Sequence, residues 1–232
     1  MLFNSLAYLL LISVTSIAKI ITPLFSGIVL LLGSLIFYMM AGLFDTSIFI
    51  CSVVINWLIT KVFSTNKLRI ATAALFNLGL LFVFKYLDML TGAEKATTNT
   101  YIDLALPLGI SFYTFQILAY QIDTARETAT EASSFKSFFL FVAFFPQLIA
   151  GPIVRAQYLL PQIERIFKKK KKRICIVSYG LSLFLLGAFK KIVVADSIAP
   201  FVDEIFSFGP ETIWWAWVGS ILFSFQIYFD FS

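Results

Sequence analysis

Long apolar runs separated by short polar breaks organise this chain. A helix that spans a bilayer needs about 20 mostly apolar residues. Leu2–Ala18 and Ile20–Phe44 are the first two such runs, with Thr22-Pro23 and Gly27 near their junction. Asp45 and Thr46 predict a short break. Ser47–Thr60 is short for a span unless tilted. Lys61–Arg69 carries three basic residues and no acid, so it reads as a loop. Ala71–Leu87 is the next clear span, and Thr91–Thr100 a polar, Thr/Ala-rich loop. Leu104–Ile122 contains Pro107 and Gly109, and charged Asp123–Lys136 follows it. Phe138–Val154 is apolar but interrupted by Pro146, Gly151 and Pro152. Arg155–Arg173 alternates apolar and basic positions, the pattern of an amphipathic helix lying in the interface plane and ending in a lysine run. Ile174–Ala195 and Ile213–Phe229 are two further spans, and Ile198–Phe208 between them is short and partly apolar. No internal repeat or sustained heptad appears.

The basic segments orient these runs. Lys61–Arg69 and Lys168–Arg173 both belong on the cytoplasmic side by the positive-inside bias. An even number of crossings must then separate them, yet three apolar segments lie between. Phe138–Val154 is the one expected not to cross, because its prolines break helical hydrogen bonding. Non-helical backbone at membrane depth survives only where protein or a water-filled cavity satisfies it. The expected fold is all-α: a polytopic transmembrane helical protein with a re-entrant or broken segment, forming a single transmembrane domain over residues 1–232.

Composition agrees. The chain is 59% hydrophobic and 13% charged, with mean hydropathy +0.90. Soluble domains run about 45–50% apolar and about 25% charged, which excludes a water-soluble globule. Disorder is excluded by the same figures. The net charge of +5 is local: six of the 18 basic residues lie in Lys168–Arg173. That run reads as a positive-inside loop or a patch for anionic lipid headgroups or an acidic partner, not as a nucleic-acid surface. Cys51 and Cys175 sit in apolar stretches without a C-x-x-C and read as membrane-buried hydrophobes. Met1–Leu11 has no preceding basic region and reads as an uncleaved first membrane segment. The chain has no histidine, which removes histidine bases, Ser-His nucleophile pairs and histidine metal ligands; no metal site is expected.

Charges in apolar context cost about 2.5–3.5 kcal/mol at the bilayer centre, so they mark helix ends or function. Lys85-Tyr86 with Asp88 reads as a snorkelling lysine with a tyrosine anchor. Arg155 is either a cytoplasmic flank charge or a cation at the mouth of the broken segment, holding an anionic donor group. Lys190 and Lys191 precede Asp196; Lys191 to Asp196 exceeds i+4, so pairing them would need a kink. Gln226 and Asp230 are four apart and share a helix face, either interfacial or towards a cavity.

Two stretches carry a resemblance: Leu106-Pro107-Leu108-Gly109-Ile110-Ser111-Phe112-Tyr113-Thr114-Phe115-Gln116, and Phe144-Phe145-Pro146-Gln147-Leu148-Ile149-Ala150-Gly151-Pro152-Ile153-Val154-Arg155. Phe84-Lys85-Tyr86, Lys190-Lys191-Ile192-Val193-Val194-Ala195-Asp196, Tyr228-Phe229-Asp230-Phe231-Ser232 and the opening Met1-Leu2-Phe3-Asn4-Ser5 agree in order. Together they resemble the membrane-bound O-acyltransferase family, in its bacterial alginate O-acetyltransferase branch; teichoic-acid D-alanyl transferases are close relatives. In that family Y-F-D-F-S is followed by G-Y-S-D and later by a Trp-His pair. The resemblance therefore implies an N-terminal portion of an incomplete family fold, with the catalytic histidine beyond Ser232.

The resemblance further implies transfer of an acetyl group from a cytoplasmic thioester donor, acetyl-CoA or an acyl-carrier thioester, to an exported alginate-like exopolysaccharide. No bound cofactor is implied. The implied partners are the lipid bilayer, the acyl donor and a periplasmic or extracellular polysaccharide-modifying protein, in the cell inner membrane. Arg155, Lys190, Lys191 and Asp196 would lie at the donor side, with Gln226 and Asp230 on a tunnel wall. Pro107, Gly109, Pro146, Gly151 and Pro152 would shape backbone. The fragment alone would be inactive. Two other classes stay open: a transporter or channel built around the broken segment, and a non-catalytic scaffold for a periplasmic acetyltransferase.

Overall fold

The structure is a computed structural model that describes residues 6–22, 25–86, 107–147, 153–168, 175–209 and 212–231. Among the described residues it is all-helical, without strands. It divides into two compact units, Met1–Lys170 and Lys171–Ser232.

The first unit is an antiparallel bundle. It holds α1 (Leu6–Ile21), α2 (Ser26–Met39), α3 (Leu43–Val62), α4 (Asn66–Lys85), α5 (Ile110–Ala125), α6 (Phe135–Ala143) and α7 (Ala156–Phe167). Several boundaries differ from the hydrophobic pattern. Ile20–Phe44 is not one span, because α1 runs to Ile21 and α2 starts at Ser26. Asp45-Thr46 is no break. Gly42, at φ 141°, opens α3, and Asp45 falls in its first turn, where a carboxylate is favoured by the helix dipole. The run taken as Ser47–Thr60 is thus the middle of a 20-residue helix, about 30 Å long. Lys61–Arg69 is mostly helical too, with only Phe63–Thr65 between α3 and α4.

Side-chain contacts fix the directions. Tyr8 meets Phe37, and Thr15 crowds Gly33, so α1 and α2 are antiparallel. Phe49 meets Tyr113, and Thr60 meets Gln121, so α3 and α5 are parallel. Arg69, early in α4, meets Gln121, late in α5. Helices α1, α3 and α5 therefore run towards one end and α2 and α4 away from it. Lys61, Arg69 and Lys168 all lie at that end, linked through Glu131 and then through Ser133 and Glu164. We call it the basic end.

The bundle is apolar on its outer surface, and its apolar core also encloses polar side chains. Leu58, Leu68, Leu75 and Leu78 are exposed, whereas Asn56, Asn77 and Gln121 are each 0% exposed. A water-soluble helix is patterned the other way. Helices α3 and α4 are long and apolar enough to cross a membrane.

The interrupted segment forms α6, nine residues and about 13 Å long. Ser134 caps it by accepting the Ser137 N–H, and Ser137–Ala143 are all buried. It leaves the basic end and brings Phe145 to Ser34, Tyr8 and Phe37. By Glu164 the chain is back at the basic end, and Phe167 packs on Gly27 at the start of α2. Pro146 lies in the turn after α6, while Gly151 and Pro152 lie outside the described residues. The amphipathic helix is shorter than its pattern, and its apolar face is not free for the bilayer. Ala156, Leu160 and Ile163 are built into the protein core. Lys169–Arg173 lie outside the described residues.

The second unit holds α8 (Cys175–Phe189), a π-helical turn (Lys190–Ala195), α9 (Asp196–Phe208) and α10 (Ile213–Phe231). The runs Ile174–Ala195 and Ile198–Phe208 are not separate segments. The backbone stays helical throughout Cys175–Phe208, about 50 Å. Gly209, at φ 76°, ends it, and α10 packs back antiparallel on α9 and the π turn. A side chain at Gly219 would meet Ile205 at 2.8 Å, so this glycine allows the close approach.

Candidate functional site

The π turn decides the geometry of the first polar cluster. An i→i+5 turn carries one extra residue in the helix. Here the Asp196 N–H donates to the Lys191 carbonyl, the five-residue spacing that a regular helix does not close. Pro200, one turn later, could not donate to the Asp196 carbonyl in any case. The same register brings the side chains together: Lys191 Nζ lies 2.9 Å from Asp196 Oδ1 and also bonds Asp230 Oδ1 of α10. The pairing that the spacing argued against is therefore present, and a π turn supplies the distortion it needed.

One ammonium faces two carboxylates, leaving the cluster with a formal charge of −1. Gln226 sits one turn before Asp230, and its Oε1 is buried without a partner. Lys190 is half-buried beside the cluster in sequence. Of the six sequence candidates, Lys191, Asp196 and Asp230 thus converge. Arg155 belongs to the first unit, as the exposed N-cap of α7.

Pro107 opens the turn before α5, its carbonyl accepting the Ile110 N–H at 3.1 Å. Gly109 takes a left-handed conformation, φ 70°, at the start of α5, which a glycine adopts without steric cost. The turn is pinned from two helices: the Tyr38 hydroxyl donates to the Leu108 carbonyl at 3.3 Å, and Asp45 accepts the Leu108 N–H at 3.4 Å. The Tyr113 hydroxyl, buried one turn into α5, has no partner. Lys85 lies over the Tyr86 ring at 5.7 Å; Asp88 is outside the described residues. Cys51 is exposed on the outer surface of α3.

A second polar network was missed by reading charges alone. Asn56 and Asn77 exchange reciprocal amide bonds of 3.1 and 2.7 Å. Gln121 donates to the Asn56 carbonyl and to Thr60. Arg69, 4% exposed, donates to Gln121, Thr124 and Glu131. Glu131 is the start of a tethered strap. Ala132 donates to the Tyr120 hydroxyl, Ser133 to Glu164, and Ser134 caps α6. Uncharged amides inside apolar helices were the available signal, because each demands a partner in a dry setting.

The lysine–aspartate cluster and the pinned turn fall on the strings K-K-I-V-V-A-D, Y-F-D-F and L-P-L-G-I-S-F-Y, whereas the amide network lies outside them. Comparison with known proteins follows the same lines. The chain is 34% identical to a peptidoglycan O-acetyltransferase of Helicobacter pylori, over 90% of the chain and 46% of that protein. It is 30% identical to a probable alginate O-acetylase AlgI of Azotobacter vinelandii, over 90% of the chain and 44% of the relative. A probable alginate O-acetylase AlgI of Pseudomonas syringae pv. tomato is 31% identical over 90% of the chain and 42% of its own length. The chain belongs to the membrane-bound O-acyltransferase family. It spans a little under half the length of these O-acyltransferase relatives. No protein-family model and no solved structure matches it. Within the family part that it covers, its chemistry-bearing residues are cations, carboxylates and amides, with no histidine among them.

Proposed function

We propose that the whole protein is an inner-membrane O-acetyltransferase. It carries acetyl from a cytoplasmic thioester, acetyl-CoA or an acyl-carrier protein, to hydroxyls of an exported polysaccharide. A carbohydrate oxygen attacks the thioester carbonyl, the C–S bond breaks, and the thiol leaves with the hydroxyl proton. The observation that carries this reading is the 30–34% identity over 90% of the chain to proteins named as O-acetyltransferases of two glycans. The polymer differs between those names, so the acceptor is the variable part and alginate is one member of the class.

In this reading the basic end is cytoplasmic, and α6 is a re-entrant element entering from that side. Its short length and the burial of Ser137–Ala143 support this, since about 13 Å covers less than half of a ~30 Å hydrocarbon core. Arg155, Lys190, Lys191 and Asp196 serve the donor side, and Gln226 and Asp230 face the acetyl path. A periplasmic polysaccharide-modifying protein receives or completes the transfer. Base catalysis needs a group whose pKa lies near the working pH. This chain offers no imidazole, so its part is scaffold and donor site.

The test compares acetyl transfer to glycan in liposomes by the whole protein and by residues 1–232. Transfer by the former and none by the latter is expected. Transfer by residues 1–232 alone would refute the division of labour. No transfer by the whole protein with both donors would refute the activity.

A further inference from the structure

Helix α7 spends its apolar face on the protein's own core, where Ala156, Leu160 and Ile163 are at most 2% exposed. Its other face carries Arg155, Tyr158, Gln162 and Arg165, spaced by three, four and three residues, which aligns them in one row. Lys168 follows at the C-cap, and all five side chains are exposed. Glu164, the one acid between Arg155 and Lys168, is part-buried; it accepts the Ser133 N–H at 2.8 Å and also lies 3.8 Å from Lys168 Nζ. The outward row therefore presents three cations and a tyrosine with no exposed acid among them.

We propose that the C-terminal part of this row, Tyr158, Arg165 and Lys168, docks the headgroups of anionic lipids. Charge complementarity calls for an anionic partner, and two observations favour lipid over a soluble acidic protein. Tyr158, 64% exposed, stands mid-row, and an amphipathic ring of this kind belongs at headgroup level. The C-terminal part of the row lies at the basic end with Lys61 and Arg69. The inference rests on the proposed reading of that end as the cytoplasmic side of a membrane protein. Because the apolar face is already buried in protein, the contact is made by guanidinium and ammonium groups on phosphates, not by insertion among acyl chains. Each cation near an anionic surface is worth on the order of fivefold in affinity.

The test uses the full chain in detergent, titrated with fluorescent phosphatidylglycerol against phosphatidylcholine. The wild type should prefer phosphatidylglycerol, and 0.5 M salt should weaken the preference. R165Q/K168Q should lose roughly 25-fold in phosphatidylglycerol affinity, Y158A should lose less, and K85Q, at the other end, nothing. Thermal midpoints should stay within about a degree of wild type for these exposed sites. Unchanged phosphatidylglycerol affinity in R165Q/K168Q would overturn the proposal, as would equal binding of both lipids. Loss of binding by K85Q to the same degree would also overturn it. Lipid binding is read without acetyl transfer, so its failure is distinct from failure of the proposed activity. A chain that washes from membranes at high salt would instead sink the membrane reading itself.

Discussion

The Asn56–Asn77 pair gives the sharpest test of how the first unit is held. Each amide is 0% exposed and fully used. Its oxygen accepts from the partner, at 3.1 and 2.7 Å. Its second N–H reaches the carbonyl four residues back, Ser52 at 2.9 Å and Ala73 at 2.7 Å. Replacing Asn56 by Leu keeps the branched shape at somewhat larger size but strands an acceptor and a donor on Asn77. Leaving a buried group unsatisfied costs about 1–3 kcal/mol. Interhelical bonds in membranes average about 0.6 and reach about 1.7 kcal/mol. Two reciprocal bonds then put each single variant at about 2 kcal/mol. N56L/N77L strands nothing and should cost no more than either single. The coupling energy is therefore about 2 kcal/mol, well above the ~0.5 kcal/mol scatter for independent sites. At roughly 2–4 °C per kcal/mol for a unit of this size, each single should unfold about 4–8 °C early in detergent melts followed by intrinsic fluorescence. The double should match one of them. Additive losses in the double variant would show that the two amides do not depend on each other, and the reasoning would fail.

Two further outcomes follow from the other clusters. Arg69→Met takes the guanidinium from three partners, and because Glu131 is 39% exposed and can rehydrate, the loss should be about 1–3 kcal/mol. R69K should recover only part, because an ammonium cannot reach three separated acceptors in the fork geometry of arginine; denaturant melts of the three proteins check the order. Lys191→Met leaves Asp196 and Asp230 facing each other without a cation. Hydrogen exchange in Gln226–Asp230 should rise, K191R should restore protection, and unchanged exchange in K191M would show that the bridge does not hold α10 to the π turn.

The hydrophobic pattern located most helices, because burial in lipid or protein writes long apolar runs directly into composition. It misplaced boundaries where a helix carries polar residues inside the bundle. Asp45-Thr46 and Lys61–Arg69 look like loop chemistry, yet they lie in α3 and α4, with their polar groups satisfied by neighbours. Pro146, Gly151 and Pro152 marked Phe138–Val154 as interrupted, and the helix there has only nine residues: Phe144 leaves the helical conformation before Pro146. Lys191, Asp196 and Asp230 were legible as unusual charges. Their convergence was not, because spacing rules assume a regular helix and a π turn changes the arithmetic. The amide network left no charge signal at all, and the strap at Glu131–Ser134 depends on tertiary neighbours that no local pattern encodes.

The π turn also changes what one rod can face. In an α-helix each residue advances the side-chain direction by about 100°. The extra residue in Lys190–Ala195 therefore rotates every position of α9 by roughly that angle relative to the phase set by α8. A stripe aligned along α8 does not continue along α9, and the two halves turn their faces to different surroundings without a loop between them. A one-residue deletion within Lys190–Ala195 would bring the halves back into phase. It would swing Ile205 away from Gly219 and uncouple α10 while leaving the helix unbroken.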